Sequence, residues 1–226
     1  MKQRKKRIKK RKLNIKRILF LLLFCFIISL TIYKLLNIEI KRIYIKGNTN
    51  ISEIDILRDG NLINTKIMSK TFSSSIKKGI SNDKLIEKVE IKRYINGTLK
   101  IIIKEKDILF KNKNEMYILE DFTKLETSKV YNVPIVDFDE NIKVYKKFIK
   151  AFNKIDLDVR LKISEILYTP SSYDENLFTF VMKDDNTVFI PTNNFKQMNS
   201  YNQIITIFEG KGIINMEISK PYFTPY

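Results

Sequence analysis

Apolar residues in this chain form one long block and then a series of short stripes with two different periods. The block runs from Ile18 to Leu36, ILFLLLFCFIISLTIYKLL, with one charge, Lys34, near its end. As a helix it would reach about 28 Å at ~1.5 Å per residue, close to the ~30 Å hydrocarbon core of a bilayer. Residues 18–37 are therefore predicted to be a transmembrane helix, with Lys34 carrying its ammonium to the interface. A cleaved signal peptide would need a shorter apolar core followed by a small-x-small site. No alanine precedes Ala151, and the nearest imitation, Ser29 and Thr31, lies inside the run.

Beyond the span the period changes. IEIKRIYIKGN predicts a strand with Ile43 and Ile45 on one face, closed by Gly47-Asn48. Ser52 is placed to cap a short helix in which Ile51, Ile54 and Leu57 recur at helical spacing, stopped by Asp59-Gly60. A second helix falls within Ser69 to Leu85. In KVEIKRY and TLKIIIKE, Val89 and Ile91, then Leu99, Ile101 and Ile103, alternate with mostly charged neighbours. Asn96-Gly97 between them predicts a type I′ hairpin turn, whose two central residues both need positive φ. Strand, helix, helix, strand, strand over residues 38–106 is a small α+β unit with its helices on one face of a sheet.

Residues 107–220 predict a second, mainly β unit with two helices. Strands are expected at Ile108 to Phe110, Met116 to Leu119, Val133 to Val136, Ile163 to Tyr168, Leu177 to Met182 and Thr187 to Ile190. One helix, capped by Asp139, carries Ile142, Tyr145, Phe148, Ile149 and Phe152 on one stripe, opposite Lys143, Lys146, Lys147, Lys150 and Lys154. The stripe reads as core and the lysines as a solvated face. The other helix carries Phe195, Met198, Tyr201, Ile205 and Phe208, ending at Gly210 and Gly212. A last strand alternates Ile214, Met216 and Ile218 with polar residues, and residues 221–226 form a carboxy-terminal tail.

The net charge of +17 suggests a nucleic-acid binder until its distribution is considered. Residues 1–17 hold 11 Lys or Arg and no acid, leaving 31 basic against 25 acidic residues elsewhere. A basic tail abutting a span is a topology signal, because Lys and Arg stay on the cytoplasmic side. Arg11, Lys12, Lys16 and Arg17 are the residues nearest the span that would hold the amino terminus inside. The tail has none of the interleaved aromatics of a nucleic-acid-gripping arm. The single cysteine, Cys25, lies within the span, so the exported part is held by packing rather than disulfides. The absence of histidine removes the commonest general base and metal ligand.

The basic tail, the span, IYIKGN, Gly60 and the hairpin VEIKRYINGTLKIIIKEK together resemble the FtsQ/DivIB family of bacterial cell-division proteins. In that family the first unit is a POTRA domain, marked by a strand ending in Gly-Asn and a hairpin of the form Arg-x-x-Pro-x-Thr-Leu-x-Ile-x-x-x-Glu. Arg93, Thr98, Leu99, Ile101 and Glu105 fill those places here, with Asn96 in place of the proline. Looser similarity continues through NVPIV, ISEI, DDNTV and KGIINMEI. There Asp185 stands where the family often has glycine, and Asn215 where it often has aspartate. The resemblance implies an α+β architecture: one transmembrane helix, a POTRA domain (β-α-α-β-β) and a mixed, mainly β carboxy-terminal domain whose carboxy-terminal edge binds partners.

The function it implies is a non-catalytic bitopic scaffold in the plasma membrane, enriched at the division septum, with its carboxy-terminal domains extracytoplasmic. Its expected partners are the FtsB/DivIC-like and FtsL-like bitopic coiled-coil division proteins and, through them, the septal peptidoglycan synthase complex. No cofactor, metal, nucleic acid or small-molecule substrate is expected. An uncovered sheet edge suits such a role, since an incoming strand satisfies its free N–H and C=O groups. The candidate contact residues are Ile214, Met216 and Ile218 on the last strand, Tyr222 and Phe223 in the tail, and Tyr201 on the preceding helix. The plain alternative is that this strand belongs to the core and the tail frays. Two other functions stay open. One is a POTRA-bearing envelope secretion or assembly component, though no barrel follows. The other is an anchored cell-wall enzyme, for which Ser74-Ser75-Ile76-Lys77 fits S-x-x-K but K-T-G is missing.

Overall fold

The computed structural model describes residues 14–140, 143–208, 210–218 and 220–226. The apolar block is a helix, α1 (Ile15–Leu36), long and apolar enough to cross a membrane. Within it, Thr31 Oγ1 donates to the Ile27 carbonyl at 2.9 Å. That bond satisfies the Thr31 hydroxyl within the helix, as an apolar surrounding would require. After α1 the chain forms two compact units, one reaching to Asn82 and resuming over Val89–Ile103, the other comprising Asp83–Lys88 and Lys104–Tyr226.

The first unit follows the expected order: β1 (Arg42–Lys46), α2 (Glu53–Asp59), a 3-10 turn (Met68–Lys70), α3 (Ser73–Ile80), β2 (Ile86–Arg93) and β3 (Thr98–Glu105). The sheet order is β1-β3-β2, with β1 parallel to β3 and Ile43 opposite Leu99. Ser52 does cap α2, its hydroxyl accepting from the Asp55 N–H at 3.1 Å. The buried stripe of α2 differs from expectation: Ile56 is buried while Ile54 is exposed. Ile51, buried just before the cap, fixes the helix rotation that turns Ile56 inward. Val89, Leu99, Ile101 and Ile103 face the core as their alternation requires.

The β2–β3 turn is not type I′. Gly97 has φ +85° while Asn96 does not enter the positive-φ region. The Gly97 N–H donates to the Tyr94 carbonyl at 3.1 Å and the Tyr94 N–H to the Thr98 carbonyl at 2.9 Å. This is the three-residue loop in which a type I turn is followed by a left-handed glycine. Asn96 contributes through its side chain instead, its Oδ1 accepting from the Thr98 N–H at 3.0 Å. Arg93 ties two elements together. Its Nη1 donates to the Met68 carbonyl at 3.2 Å and its Nη2 to the Thr71 carbonyl, pinning the 3-10 turn to β2. Ser74 and Lys77 lie exposed on α3.

The second unit is built on one mixed sheet of nine strands, ordered β12-β11-β10-β9-β8-β7-β4-β5-β6. In chain order these are β4 (Ile108–Asn112), β5 (Tyr117–Leu119), β6 (Lys124–Leu125), β7 (Ile135–Asp137), β8 (Ile163–Tyr168), β9 (Leu177–Met182), β10 (Thr187–Pro191), β11 (Gly212–Asn215) and β12 (Tyr222–Pro225). The helices are α4 (Tyr145–Phe152), α5 (Leu157–Arg160) and α6 (Tyr201–Ile207), the last continuing a 3-10 segment, Thr192–Ser200. The helix expected behind Asp139 starts later, with Val144 at its amino-terminal boundary. Of its stripe, Phe148, Ile149 and Phe152 are buried and Tyr145 packs beside them, while Ile142 lies outside the described residues. The core is aromatic: Phe148 meets Phe178 at 4.9 Å and stands edge-on to Phe195 at 5.6 Å between ring centroids. Such pairs add about 0.5–1.5 kcal/mol each beyond the area they bury.

Candidate partner-binding edge

A sheet offers binding groups only at its two edges, and those of the nine-stranded sheet are unlike. β6 is a two-residue strand with an exposed lysine, the kind of edge that discourages pairing. β12 is four residues long and bonded on one side only, antiparallel to β11, with Ile214 opposite Phe223 and Asn215 opposite Tyr222. Residues 221–226, expected to be a carboxy-terminal tail, thus include the edge strand of the sheet.

What holds β12 is readable residue by residue. Gly212 lies opposite Pro225, and a Cβ there would sit 2.3 Å from the Thr224 carbonyl oxygen and 2.7 Å from the Phe223 ring. Only glycine lets the two backbones meet. The buried Gly212 N–H donates to Asn186 Oδ1 at 3.0 Å. Phe223 stacks on Phe208, with centroids 4.9 Å apart and planes 14° from parallel. Tyr226 shares a hydroxyl–hydroxyl hydrogen bond with Thr187 at 2.8 Å, and its N–H donates to the Lys211 carbonyl at 3.1 Å. From that bond the antiparallel alternation runs back along the strand: Tyr222, Thr224 and Tyr226 turn their backbone groups toward β11. The outward groups are the N–H and C=O of Phe223 and the C=O of Pro225, which has no N–H to give.

Two of the proposed contact residues on β11 and its extension are core. Ile214 and Met216 are 1% and 0% exposed, because β11 is an interior strand, parallel to β10 on its other side. Tyr201 is likewise 0% exposed, its hydroxyl donating to Asp184 at 2.9 Å beneath the sheet. Burial pushes its ionisation upward from about 10, and the Asp184 hydrogen bond and charge push the same way against an opposing hydrogen bond from Asn186. These three cannot meet a partner while the sheet is intact. Ile218 and Tyr222 are exposed and Phe223 is half-buried, so they remain at the edge. Tyr226, exposed at the end of the same edge segment, is a further candidate that sequence reasoning missed. The alternation Tyr222, Thr224, Tyr226 was its available signal. Lys16 and Arg17 are exposed in the first turn of α1, and Arg11 and Lys12 lie outside the described residues. No group of three or more His, Cys, Asp or Glu among the described residues is placed to hold a metal.

A comparison with models of known protein families finds no match. Comparison with individual proteins is decisive. Over 229 residues, 96% of this chain and 86% of the relative, it is 30% identical to the cell division protein DivIB of Bacillus subtilis strain 168. The chain belongs to the DivIB family of cell-division proteins. DivIB of Listeria monocytogenes is 26% identical over 90% of this chain and 79% of its own length. DivIB of Clostridium botulinum strain Hall is 29% identical over 72% of this chain and 70% of its own length. Among solved structures, the major extracytoplasmic domain of the trans isomer of Geobacillus stearothermophilus DivIB matches 47% of this chain and 96% of that domain, at 17% identity and a TM-score of 0.39.

Membership gives the chain a role in cell division and, with α1, the form of a single-pass membrane protein. The two departures noted in the DivIB-like sequence now have local explanations. Asp185 takes φ +67° in the β9–β10 turn, a position glycine fills without strain. Asn215 closes an Asx turn after β11, its Oδ1 accepting from the Glu217 N–H at 2.9 Å, a role aspartate fills equally.

Proposed function

We propose that this DivIB-family chain is a non-catalytic scaffold with its amino terminus in the cytoplasm and both folded units outside, concentrated at the septum. It recruits FtsB/DivIC-like and FtsL-like coiled-coil proteins and through them helps regulate septal peptidoglycan synthesis. The observation that carries this reading is the contrast between the sheet's two edges: β6 is short and charged, while β12 presents free backbone groups beside Ile218 and Tyr222. β-Strand addition uses such an edge, with main-chain bonds for affinity and alternate side chains for selectivity.

The test is co-purification of the full-length chain with its division partners from native membranes. Deleting residues 212–226 would remove core residues Ile214 and Met216 along with the edge, so the informative deletion is 222–226 alone. It is expected to abolish capture of the FtsB/DivIC-like protein while α1 still inserts. Undiminished capture would move the interface away from β12. A fluorescent fusion is expected to form a mid-cell band, and uniform envelope signal would count against the septal role.

A further inference from the structure

The outward face of α4 and the start of the following 3-10 segment enclose a groove of about 470 Å³ lined by Lys146, Lys147, Lys150, Lys154, Thr192 and Asn193. Among the described residues none of these four lysines forms an ion pair. Lys147 donates to the Asn176 amide oxygen at 2.9 Å, a neutral partner. Elsewhere on the same unit lysines are paired with carboxylates: Lys106 with Asp121, Lys113 with Asp137, Lys111 with Glu115. A second observation is independent of the charges. Thr192, 4% exposed, lines this groove, and its Oγ1 has no hydrogen-bond partner. A buried hydroxyl without a partner carries a desolvation cost that a bound acceptor would remove.

We propose that this groove binds a linear polymer of phosphate groups. Lys146 and Lys150 are one helical turn apart, about 6 Å along the axis, and Lys154 extends the row past the end of α4. Charges spaced in a row match an extended polyanion, whereas a single phosphate would neutralise one or two of them. Lysine acts toward phosphate as a point charge, indifferent to the orientation of successive groups. The unpartnered Thr192 hydroxyl and the Asn193 amide are the neutral polar groups that line the groove beside the lysines. A membrane surface fits poorly: an interfacial helix needs an exposed apolar face, and the apolar face of α4, Phe148, Ile149 and Phe152, is spent on the core.

The experiment uses the full chain in zwitterionic nanodiscs and hydrogen exchange over residues 145–154 and 191–200, which reads the groove separately from the basic amino terminus. Sodium polyphosphate is expected to protect both segments. The K146Q/K147Q/K150Q/K154Q variant is expected to lose that protection, and the slope of log affinity against log salt to fall by about 3, as for four lost phosphate contacts on a flexible strand. Thr192→Val removes a hydroxyl that bonds nothing in the protein, so it should leave the melting temperature undiminished while weakening polyphosphate binding about tenfold, the worth of one hydrogen bond to a charged group. Binding by the quadruple variant as tight as wild type overturns the proposal, and unchanged binding by Thr192→Val overturns the hydroxyl's part in it. Three arms identify the ligand. Inorganic phosphate alone should protect only at far higher concentration. Equal protection by polyglutamate of matched charge would show an acidic polypeptide site, and protection by anionic nanodiscs without polymer would show a lipid headgroup site. Either of the last two results overturns the assignment to a phosphate polymer.

Discussion

Replacing Gly212 by alanine tests whether β12 is a separable edge. The added methyl would lie 2.3 Å from the Thr224 carbonyl oxygen and within 2.8 Å of two Phe223 ring carbons. The ring can swing aside, but the carbonyl is backbone, so β12 must retreat from β11. Retreat breaks about two ladder hydrogen bonds at ~1 kcal/mol each. It also disturbs the Phe208–Phe223 stack, worth about 0.5–1.5 kcal/mol. The sum, about 3 kcal/mol, raises the population of the detached strand over a hundredfold. The aromatic cluster of Phe148, Phe178, Phe180 and Phe195 is formed without β12, so the global unfolding midpoint should move little. Hydrogen exchange separates these effects: the Thr224 and Tyr226 amides should exchange about a hundredfold faster while amides of β9 and β10 keep their protection. Partner capture should fall in parallel. Wild-type exchange at Tyr226, with capture intact, would refute the idea that glycine is needed to seat this strand.

Two tyrosines whose hydroxyls are buried should respond oppositely to loss of the hydroxyl. Tyr201→Phe deletes a donor to the Asp184 carboxylate and should cost about 2 kcal/mol in urea unfolding, whereas Tyr145→Phe deletes a hydroxyl with no partner and should be neutral or slightly stabilising. Both phenols are pushed up in pKa, Tyr145 by burial and then by Glu140, Tyr201 by burial and Asp184. A raised folded-state pKa means their contribution is complete below pH ~10, where the unfolded phenols titrate, and is lost as pH rises beyond it. Spectrophotometric titration should therefore show these two tyrosines ionising only with unfolding, and their titration near pH 10 in folded protein would contradict their placement. Ser52→Ala should destabilise the first unit by about 1 kcal/mol through loss of the α2 cap, read by chemical denaturation.

The span, the order of the first unit and strands β8, β9 and β10 were legible because their periodicity is local and uninterrupted. Ile56 was missed because a seven-residue helix has too few turns to define a stripe, and its rotation is set by Ile51 outside it. The β2–β3 turn went wrong in type because Asn-Gly serves both two-residue and three-residue loops, and the choice rests on the register of β2 against β3. At the carboxy terminus a strand was expected through Ile214, Met216 and Ile218, but β11 ends at Asn215, and of the two readings offered for it the core one holds for Ile214 and Met216. What makes it interior is β12, whose own signal is four residues containing a proline. Tyr201 shows the general difficulty: an amphipathic side chain on a helical stripe looks the same in sequence whether its hydroxyl meets solvent or a buried carboxylate.

Pro225 limits how tightly anything can hold this edge. With its nitrogen blocked, the outward face of β12 has one N–H and two C=O groups to share, so a guest strand gains about three hydrogen bonds, ~3 kcal/mol in all. That is weaker than the roughly −4.1 kcal/mol of a millimolar complex, before any side chain is counted. On the proposed reading, a guest anchored in the same bilayer would make up what the edge lacks, because shared confinement raises effective concentration. A complex balanced in this way would be reversible, its members separating once they no longer share one patch of membrane.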